Sequence, residues 1–444
     1  MDWLRRSARL DPDAPAVITA AATLSYGDLD DLADRVAAAV RGAGPALGER
    51  VAFWGEQNLR AAAAAWGIPR SGAWAVPVST RLPAAAAMEQ TRRAGVRGLW
   101  ALASDGDLAD LRTASPADGG GPPDPRARYV VFTSGSGGTP TGVVLSGAAI
   151  EASVAGSRAN LGNGSDDPWL CVLPTSHVGG LSILWRCAEA GAPVVLEERF
   201  DAGRVAGLLA EGEVAYASLV PTMLRRVLAA HPGPYRGVKG VLVGGGPSDA
   251  GLLRRAMDAG LPVLATYGST ETCSQVATVA PGEQQEALGT AGRPLDGFEV
   301  RVSGDGRIEV RGPAVATETI EGPFRAEGDW LRTGDLGRLD SSGRLVVIGR
   351  ADRVIVTGGV NVHPDAVEAV LAGHPAIADV RVFGVPDPEW GTAVTAEVVV
   401  AGGARFEEGP VAAWARSRLT GAEVPKRWQV TGRIDRTELG KHRA

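Results

Sequence analysis

Residues 133–142 read TSGSGGTPTG, with four glycines, two serines and three threonines in one short run. Backbone N–H groups and hydroxyls at that density form a nest for phosphate oxygens, and glycine permits close approach and positive φ. Taken alone, the run also reads as a long polar hairpin. It lacks the lysine of a Walker loop, and a β-branched run (GVVLS) rather than a helix follows it, so P-loop chemistry is excluded. No Gly-x-Ser-x-Gly elbow and no zinc-spaced histidine pair occur, which argues against an α/β serine hydrolase and a zinc hydrolase.

Four more motifs follow in order: YGSTE (267–271), LRTGD (331–335), GRADRVIVTGGVNVHP (349–364) and DRTELGK (435–441). Singly they are bland: Thr-Gly-Asp is an ordinary turn, Glu271 a helix cap, Arg350 a surface ion-pair partner and Lys441 part of a solvated tail. Chemically, a carboxylate such as Asp335 has enough lone pairs to accept from both hydroxyls of a ribose. A single glutamate suffices for magnesium, which takes its other ligands from water and phosphate. In this order and spacing the five motifs resemble the adenylate-forming superfamily of acyl- and aryl-CoA ligases, luciferases and peptide-synthetase adenylation domains, over nearly the whole chain.

The resemblance implies ATP, Mg²⁺ and coenzyme A as ligands and a small carboxylic acid as substrate. It makes Thr133, Ser134, Gly135, Ser136, Gly137, Gly138 and Thr139 the phosphate loop. Gly245, Gly246 and Pro247, after Gly244, flank the adenine; Tyr267 stacks on it beside Gly268. Asp335 and Arg350 hold the ribose, Glu271 the magnesium, and Thr270 a phosphate. Lys441 bridges the substrate carboxylate and the α-phosphate. Asp352 is the hinge of a mobile C-terminal domain, and Gly358 and Gly359, after Thr357, line the pantetheine tunnel. The chain departs from the family pattern at Thr141, where most relatives carry a lysine that contacts the leaving phosphates.

Amino-acid-activating relatives carry an aspartate for the substrate amine where Ser176 and His177 stand here, which disfavours an amino acid. LPTSHVGGLSILWR (173–186), SLVPTMLRRVL (218–228) and YGSTETCSQVAT (267–278) resemble the subgroup that activates o-succinylbenzoate for menaquinone synthesis. His177 is expected to face the acyl group, with Arg186, Ser218 and Thr222 as candidates for a second carboxylate. Three alternatives stand open: a ligase for another acid, an enzyme of the thioester half-reaction only, and a non-catalytic nucleotide-binding relative.

These residues need rigid elements beneath them. At 444 residues the chain exceeds a single core, so at least two domains are expected. Apolar spacing predicts a helix between Leu24 and Gly44, a strand over Arg50 to Gly55, then an alanine-rich helix and a buried strand, the βαβ rhythm of a parallel sheet. Residues 115–128, rich in Gly and Pro, predict a surface connection. A second helix–strand alternation surrounds Gly244–Gly246, with Pro247 placed to open a helix. Short strands and turns follow between Ala291 and Gly349, then a final unit with a helix over Pro364 to Leu371. The resemblance implies the adenylate-forming enzyme fold: an α/β multidomain chain with two α/β subdomains and a small β-barrel subdomain in residues 1–351, and an α+β domain in 352–444.

A formal net charge of −6 argues against a broad nucleic-acid surface and favours small-molecule partners. No run approaches the ~18 apolar residues of a membrane span. Cys171, Cys187 and Cys273 lack paired spacing, which fits a reducing cytoplasm. No carrier domain is expected beyond Lys441, and a homodimer is the assembly considered.

Overall fold

The structure, a computed structural model, describes residues 2–45, 47–55, 57–102, 111–113, 127–133, 140–246 and 249–435. The first helix expected from the sequence runs Tyr26–Gly42. The Ser25 hydroxyl accepts from the Asp28 amide at 3.1 Å while the Asp28 carboxylate accepts from the Ser25 amide at 3.0 Å, a reciprocal cap that fixes where the helix begins. Its buried face, Tyr26, Leu29, Ala33, Val36, Ala37 and Val40, packs on the alanine-rich helix Leu59–Arg70. A Cβ at Gly67 would lie 2.5 Å from Val36 Cβ and 2.6 Å from the Ala33 carbonyl, so only glycine allows the approach. Burial contributes about 1.5–3 kcal/mol for each larger aliphatic side chain against about 1 kcal/mol for the cap. Packing therefore holds the pair.

Arg50–Gly55 lies parallel to both Trp74–Val78 and Val96–Leu102. Ala127–Thr133 pairs parallel with Trp74–Val78, then returns antiparallel as Thr141–Ser146. These strands belong to an eight-stranded sheet. Of the surface connection expected over 115–128, residues 115–126 lie outside the described residues; Ala127 and Arg128 already belong to the strand.

A second, nine-stranded sheet has six mutually parallel strands at its centre, in the order Val263–Ser269, Gly240–Val243, Tyr216–Leu219, Trp169–Cys171, Val194–Leu196 and Pro15–Ile18. One core joins the two sheets, from Ala61–Ala65, Tyr129 and Leu145 to Ile150, Trp169, Ile183 and Trp185, with the Tyr129 and Trp185 rings 5.1 Å apart. Helix Val178–Ala190 lies in that core with Gly180 to Ala188 buried on every face, which is why its sequence is mostly apolar.

The short strands between Ala291 and Gly349 include an antiparallel four-stranded sheet, ordered Glu299–Val302, Arg307–Arg311, Leu331–Leu339, Leu345–Arg350. This sheet forms the core of the small β subdomain expected there. Beyond it, Ile377–Asp387, Gly391–Val400 and Arg427–Thr431 form a three-stranded sheet packed on helix Pro364–Leu371 with its own core around Val367, Leu371, Val382 and Val398. No helix among the described residues is long and apolar enough to cross a membrane.

Candidate active site

Both large sheets turn the carboxyl ends of parallel strands toward one crevice, the location at which α/β sheets bind ligands. Gly55 and Val78–Arg81 from one sheet, and Val172, Pro174–Ser176 and Glu198–Phe200 from the other, line a cavity of about 510 Å³. The residues expected to hold a nucleotide lie outside that lining, further along the same edge of the nine-stranded sheet.

There Tyr267 Oη donates to Asp335 Oδ2 at 2.8 Å, and Arg350, the cross-strand partner of Asp335, brings a guanidinium nitrogen to 3.5 Å from Oδ1. Burial, then the Asp335 charge, pushes the Tyr267 phenol well above its ordinary range, so it stays protonated and donates. Arg350 also forks onto Asp352, at 3.1 Å and 2.7 Å. That bond raises the guanidinium and holds the Asp352 carboxyl below the usual range. The Arg350 amide donates to Asp365 Oδ2 at 3.0 Å, tying the strand to helix Pro364–Leu371. Arg353, in turn, pairs with Asp365 and, at 2.8 Å, with Glu368.

Backbone geometry explains the glycines here. A Cβ on Gly244 would lie 2.8 Å from the Thr266 carbonyl, and one on Gly268 1.7 Å from the Ser274 carbonyl. Gly245 takes φ 74° and Gly246 completes the turn. Pro247 lies outside the described residues; the helix expected to open there begins at Ala250, where Asp249 accepts from the Leu252 amide at 2.7 Å. Cys273 (φ 54°) and Ser274 (φ 100°) are non-glycine residues with positive φ, strain of a kind that collects at ligand sites. The same turn carries Thr270, whose carbonyl accepts from the Cys273 amide at 3.0 Å. It also carries Glu271, whose carbonyl accepts from Ala316 at 2.7 Å. The half-buried Glu271 carboxylate pairs with no cation among the described residues, and its charge reaches Tyr267.

Of the expected phosphate loop, Thr133 is described: its hydroxyl donates to the Thr141 carbonyl at 3.4 Å. Ser134, Gly135, Ser136, Gly137, Gly138 and Thr139 lie outside the described residues. Arg93 donates to the Pro140 carbonyl and pairs with Glu321 at 2.5 Å, so a cation stands at the foot of the loop although residue 141 is threonine.

The acyl-pocket candidates separate. His177 precedes helix Val178–Ala190 as its half-buried N-cap. Thr222 lies in the first turn of Pro221–Ala230, half-buried. Ser218 accepts from Trp169 Nε1 at 3.1 Å, and the Arg186 guanidinium lies over the Trp169 ring, 5.6 Å from its centroid. Arg186 is 3% exposed, donates to Ser274 Oγ at 3.0 Å, leaves Nε unpartnered and has no acidic partner among the described residues. Burial pushes it down to about 10. Trp169 and Ser274 were not legible as site residues: one is a strand tryptophan like others, and the other matters through a φ that its type does not announce.

In the C-terminal unit, Gly358 (φ 54°) and Gly359 (φ 79°) form the two-residue turn of a hairpin closed by Thr357 and Val360, the geometry that needs positive φ at both positions. The Gly358 amide donates to the Trp390 carbonyl at 2.9 Å. Lys441 lies outside the described residues. Cys171, Cys187 and Cys273 are buried and free, and burial pushes Cys171 and Cys273 up to about 12, so none is poised as a nucleophile.

Residues 4–318 match the AMP-binding enzyme family, and residues 366–441 match the AMP-binding enzyme C-terminal domain. The chain belongs to the AMP-binding enzyme family. It is similar to the 2-succinylbenzoate–CoA ligase of Listeria monocytogenes, 30% identical over 99% of this chain and 97% of the relative. The enzyme of the same name from Bacillus licheniformis is 32% identical over 99% and 98%. Among solved structures, o-succinylbenzoate CoA synthetase from Bacillus subtilis in complex with its acyl-adenylate intermediate superposes with a TM-score of 0.87 at 29% identity, covering 99% of this chain and 96% of that one.

Proposed function

We propose that the chain is an ATP-dependent acid–CoA ligase that acts through an acyl-adenylate, with o-succinylbenzoate as its acid. Full-length similarity to ligases of that name carries this reading, and the Tyr267–Asp335–Arg350 cluster supports it. In the first half-reaction the acid's carboxylate oxygen bonds the α-phosphorus of ATP and pyrophosphate leaves. In the second, the CoA thiol, losing its proton, bonds the acyl carbon and AMP leaves. Asp335, its carboxylate oriented by Tyr267, accepts from the ribose hydroxyls, and Arg350 adds a contact. Gly245, Gly246 and Pro247 flank the base; Thr133–Thr139 and Thr270 hold phosphates. Lys441 neutralises the meeting of two anions and the charge that develops on the phosphate oxygens.

Glu271 fits magnesium: it is a carboxylate without a cation partner among the described residues, beside the nucleotide cluster, and one such ligand plus phosphates is a usual magnesium site. The ion supplies charge neutralisation for the triphosphate.

Arg186 supports the diacid. A buried guanidinium whose Nε is unpartnered, and which has no acidic partner among the described residues, is suited to receive an anion. Its side chain reaches back along the helix to Ser274, which also touches Ser182 Oγ at 3.3 Å. The rise from His177 to Ser182 is about 7.5 Å at 1.5 Å per residue, a span suited to an acid with two carboxylates. In this reading Ser218 and Thr222 complete the pocket from neighbouring elements.

Residues 352–444 would swing about Asp352 between the half-reactions, with Gly358 and Gly359 then lining the pantetheine path. Buried free thiols support a reducing compartment, the cytoplasm.

Pyrophosphate release against a panel of acids, with and without CoA, tests the assignment. The expected result is release without CoA that is strongest with o-succinylbenzoate, and thioester formation when CoA is added. Stronger release with a fatty or simple aryl acid would replace the substrate. If no acid released pyrophosphate but supplied adenylates gave thioesters, the chain would perform the second half-reaction only, an outcome to which Thr141 points.

A further inference from the structure

Gln57 stands just beyond strand Arg50–Gly55 of the eight-stranded sheet, yet its side chain serves the other sheet. Its amide nitrogen donates to the Cys171 carbonyl at 3.2 Å and to the Glu197 carbonyl at 3.1 Å. Its amide oxygen accepts from the Thr175 amide at 2.8 Å. Cys171 ends strand Trp169–Cys171 and Glu197 follows Val194–Leu196, so one side chain ties the carboxyl ends of two parallel strands to the turn that leads into His177. Two carbonyls face the NH₂ and one N–H faces the oxygen, which fixes the orientation of the amide. Its mounting is rigid as well: the next residue, Asn58, caps helix Leu59–Arg70 by accepting from the Arg60 and Ala61 amides at 3.0 Å and 3.1 Å.

The turn itself has no slack. The His177 amide donates to the Pro174 carbonyl at 3.0 Å, Thr175 is buried, and a Cβ on Gly180 would lie 2.3 Å from the Leu173 carbonyl. The turn is thus pressed on the first turn of helix Val178–Ala190, and a displacement of Thr175 must move His177.

We propose that Gln57 is a positioning residue of the acyl site, setting His177 against the opposite sheet through Thr175. The kinetic part of this proposal rests on the acid–CoA ligase reading; the structural part does not. Gln57→Leu keeps the volume and removes all three bonds.

The test compares the wild type, Gln57→Leu, His177→Ala and the double variant. Two things are measured: KM for the acid and for MgATP in pyrophosphate release, and the imidazole NMR shifts of the five histidines, with His177 assigned by its loss in His177→Ala. Gln57→Leu is expected to raise the acid KM about tenfold, in line with loss of a bond to a buried group, and to leave the MgATP KM within about twofold. In the His177→Ala background the same change should have little further effect, the coupling expected of a residue that acts through another. The His177 resonance should move while the others hold. Should Gln57→Leu fail to fold, Gln57→Asn, one methylene too short to reach all three partners, gives the same readings. An unmoved His177 resonance, an equal rise in both KM values or full additivity with His177→Ala overturns the proposal. A wild type that activates no acid refutes the ligase reading instead, and the NMR comparison still decides whether Gln57 positions His177.

Discussion

Replacing Arg186 by methionine separates a substrate-binding arginine from a structural one. Burial holds Arg186 well below the ordinary arginine range, at about 10. At about 1.4 kcal/mol per tenfold change in proton affinity, this corresponds to about 3 kcal/mol against the charged form. The folded chain binds this proton more weakly than the unfolded chain, so the penalty is complete at neutral pH and is relieved only as pH rises above about 10 into the ordinary arginine range. Against it stand the bond to Ser274 at 3.0 Å, about 1.5–3 kcal/mol for a charged donor, and the Trp169 contact, about 1–2 kcal/mol. The terms nearly cancel. Methionine fills similar space without the charge, so thermal unfolding of ligand-free Arg186→Met should fall within about 3 °C of the wild type, a change of about 1 kcal/mol. The preference for o-succinylbenzoate over benzoate should meanwhile fall at least tenfold in kcat/KM, since a charge-assisted bond to a buried carboxylate is lost. A large loss of stability with an unchanged preference would refute the reasoning and make Arg186 a packing residue.

Three further outcomes are expected. Tyr267→Phe removes the 2.8 Å bond to Asp335 and should raise the MgATP KM about tenfold, the weight of a bond to a charged group; an unchanged KM would show that Asp335 needs no such orientation. Lys441→Ala should slow acid-dependent pyrophosphate release by about a hundredfold or more, in keeping with loss of a transition-state charge stabiliser, while sparing thioester formation from supplied adenylate; equal loss of both would remove the assigned role. Thr141→Lys should lower the MgATP KM by about two- to fivefold, the range of a solvent-screened ion pair; a neutral or harmful effect would show that the loop, with Arg93 at its foot, has adapted to threonine.

Much of the fold lay in local pattern. The strand Arg50–Gly55 and the helix Pro364–Leu371 occupy the residues expected of them, because alternation and helical spacing are set by near neighbours and by Pro at a first helical turn. The order of the four-stranded sheet, in which Arg307–Arg311 pairs with Leu331–Leu339 across more than twenty residues, was not legible, since hydropathy does not encode which edges meet. Nor was the start of the helix after Gly246, where Asp249, rather than Pro247, supplies the cap.

The same division runs through the site. By itself the sequence determined the reaction class through a resemblance: five motifs from Thr133 to Lys441, each bland alone, stand in the order and spacing of the adenylate-forming superfamily, and that order is a property of the chain. It also named Arg186 as one pocket candidate among four. Only the tertiary structure decided that Arg186 is desolvated without an acid partner among the described residues, that Tyr267 donates to Asp335, and that Gln57 joins two sheets at the turn before His177. The physical reason is distance along the chain. Desolvation and hydrogen-bond partnership arise between segments tens to more than a hundred residues apart, and no local spacing records whether a side chain that could bond will find a partner.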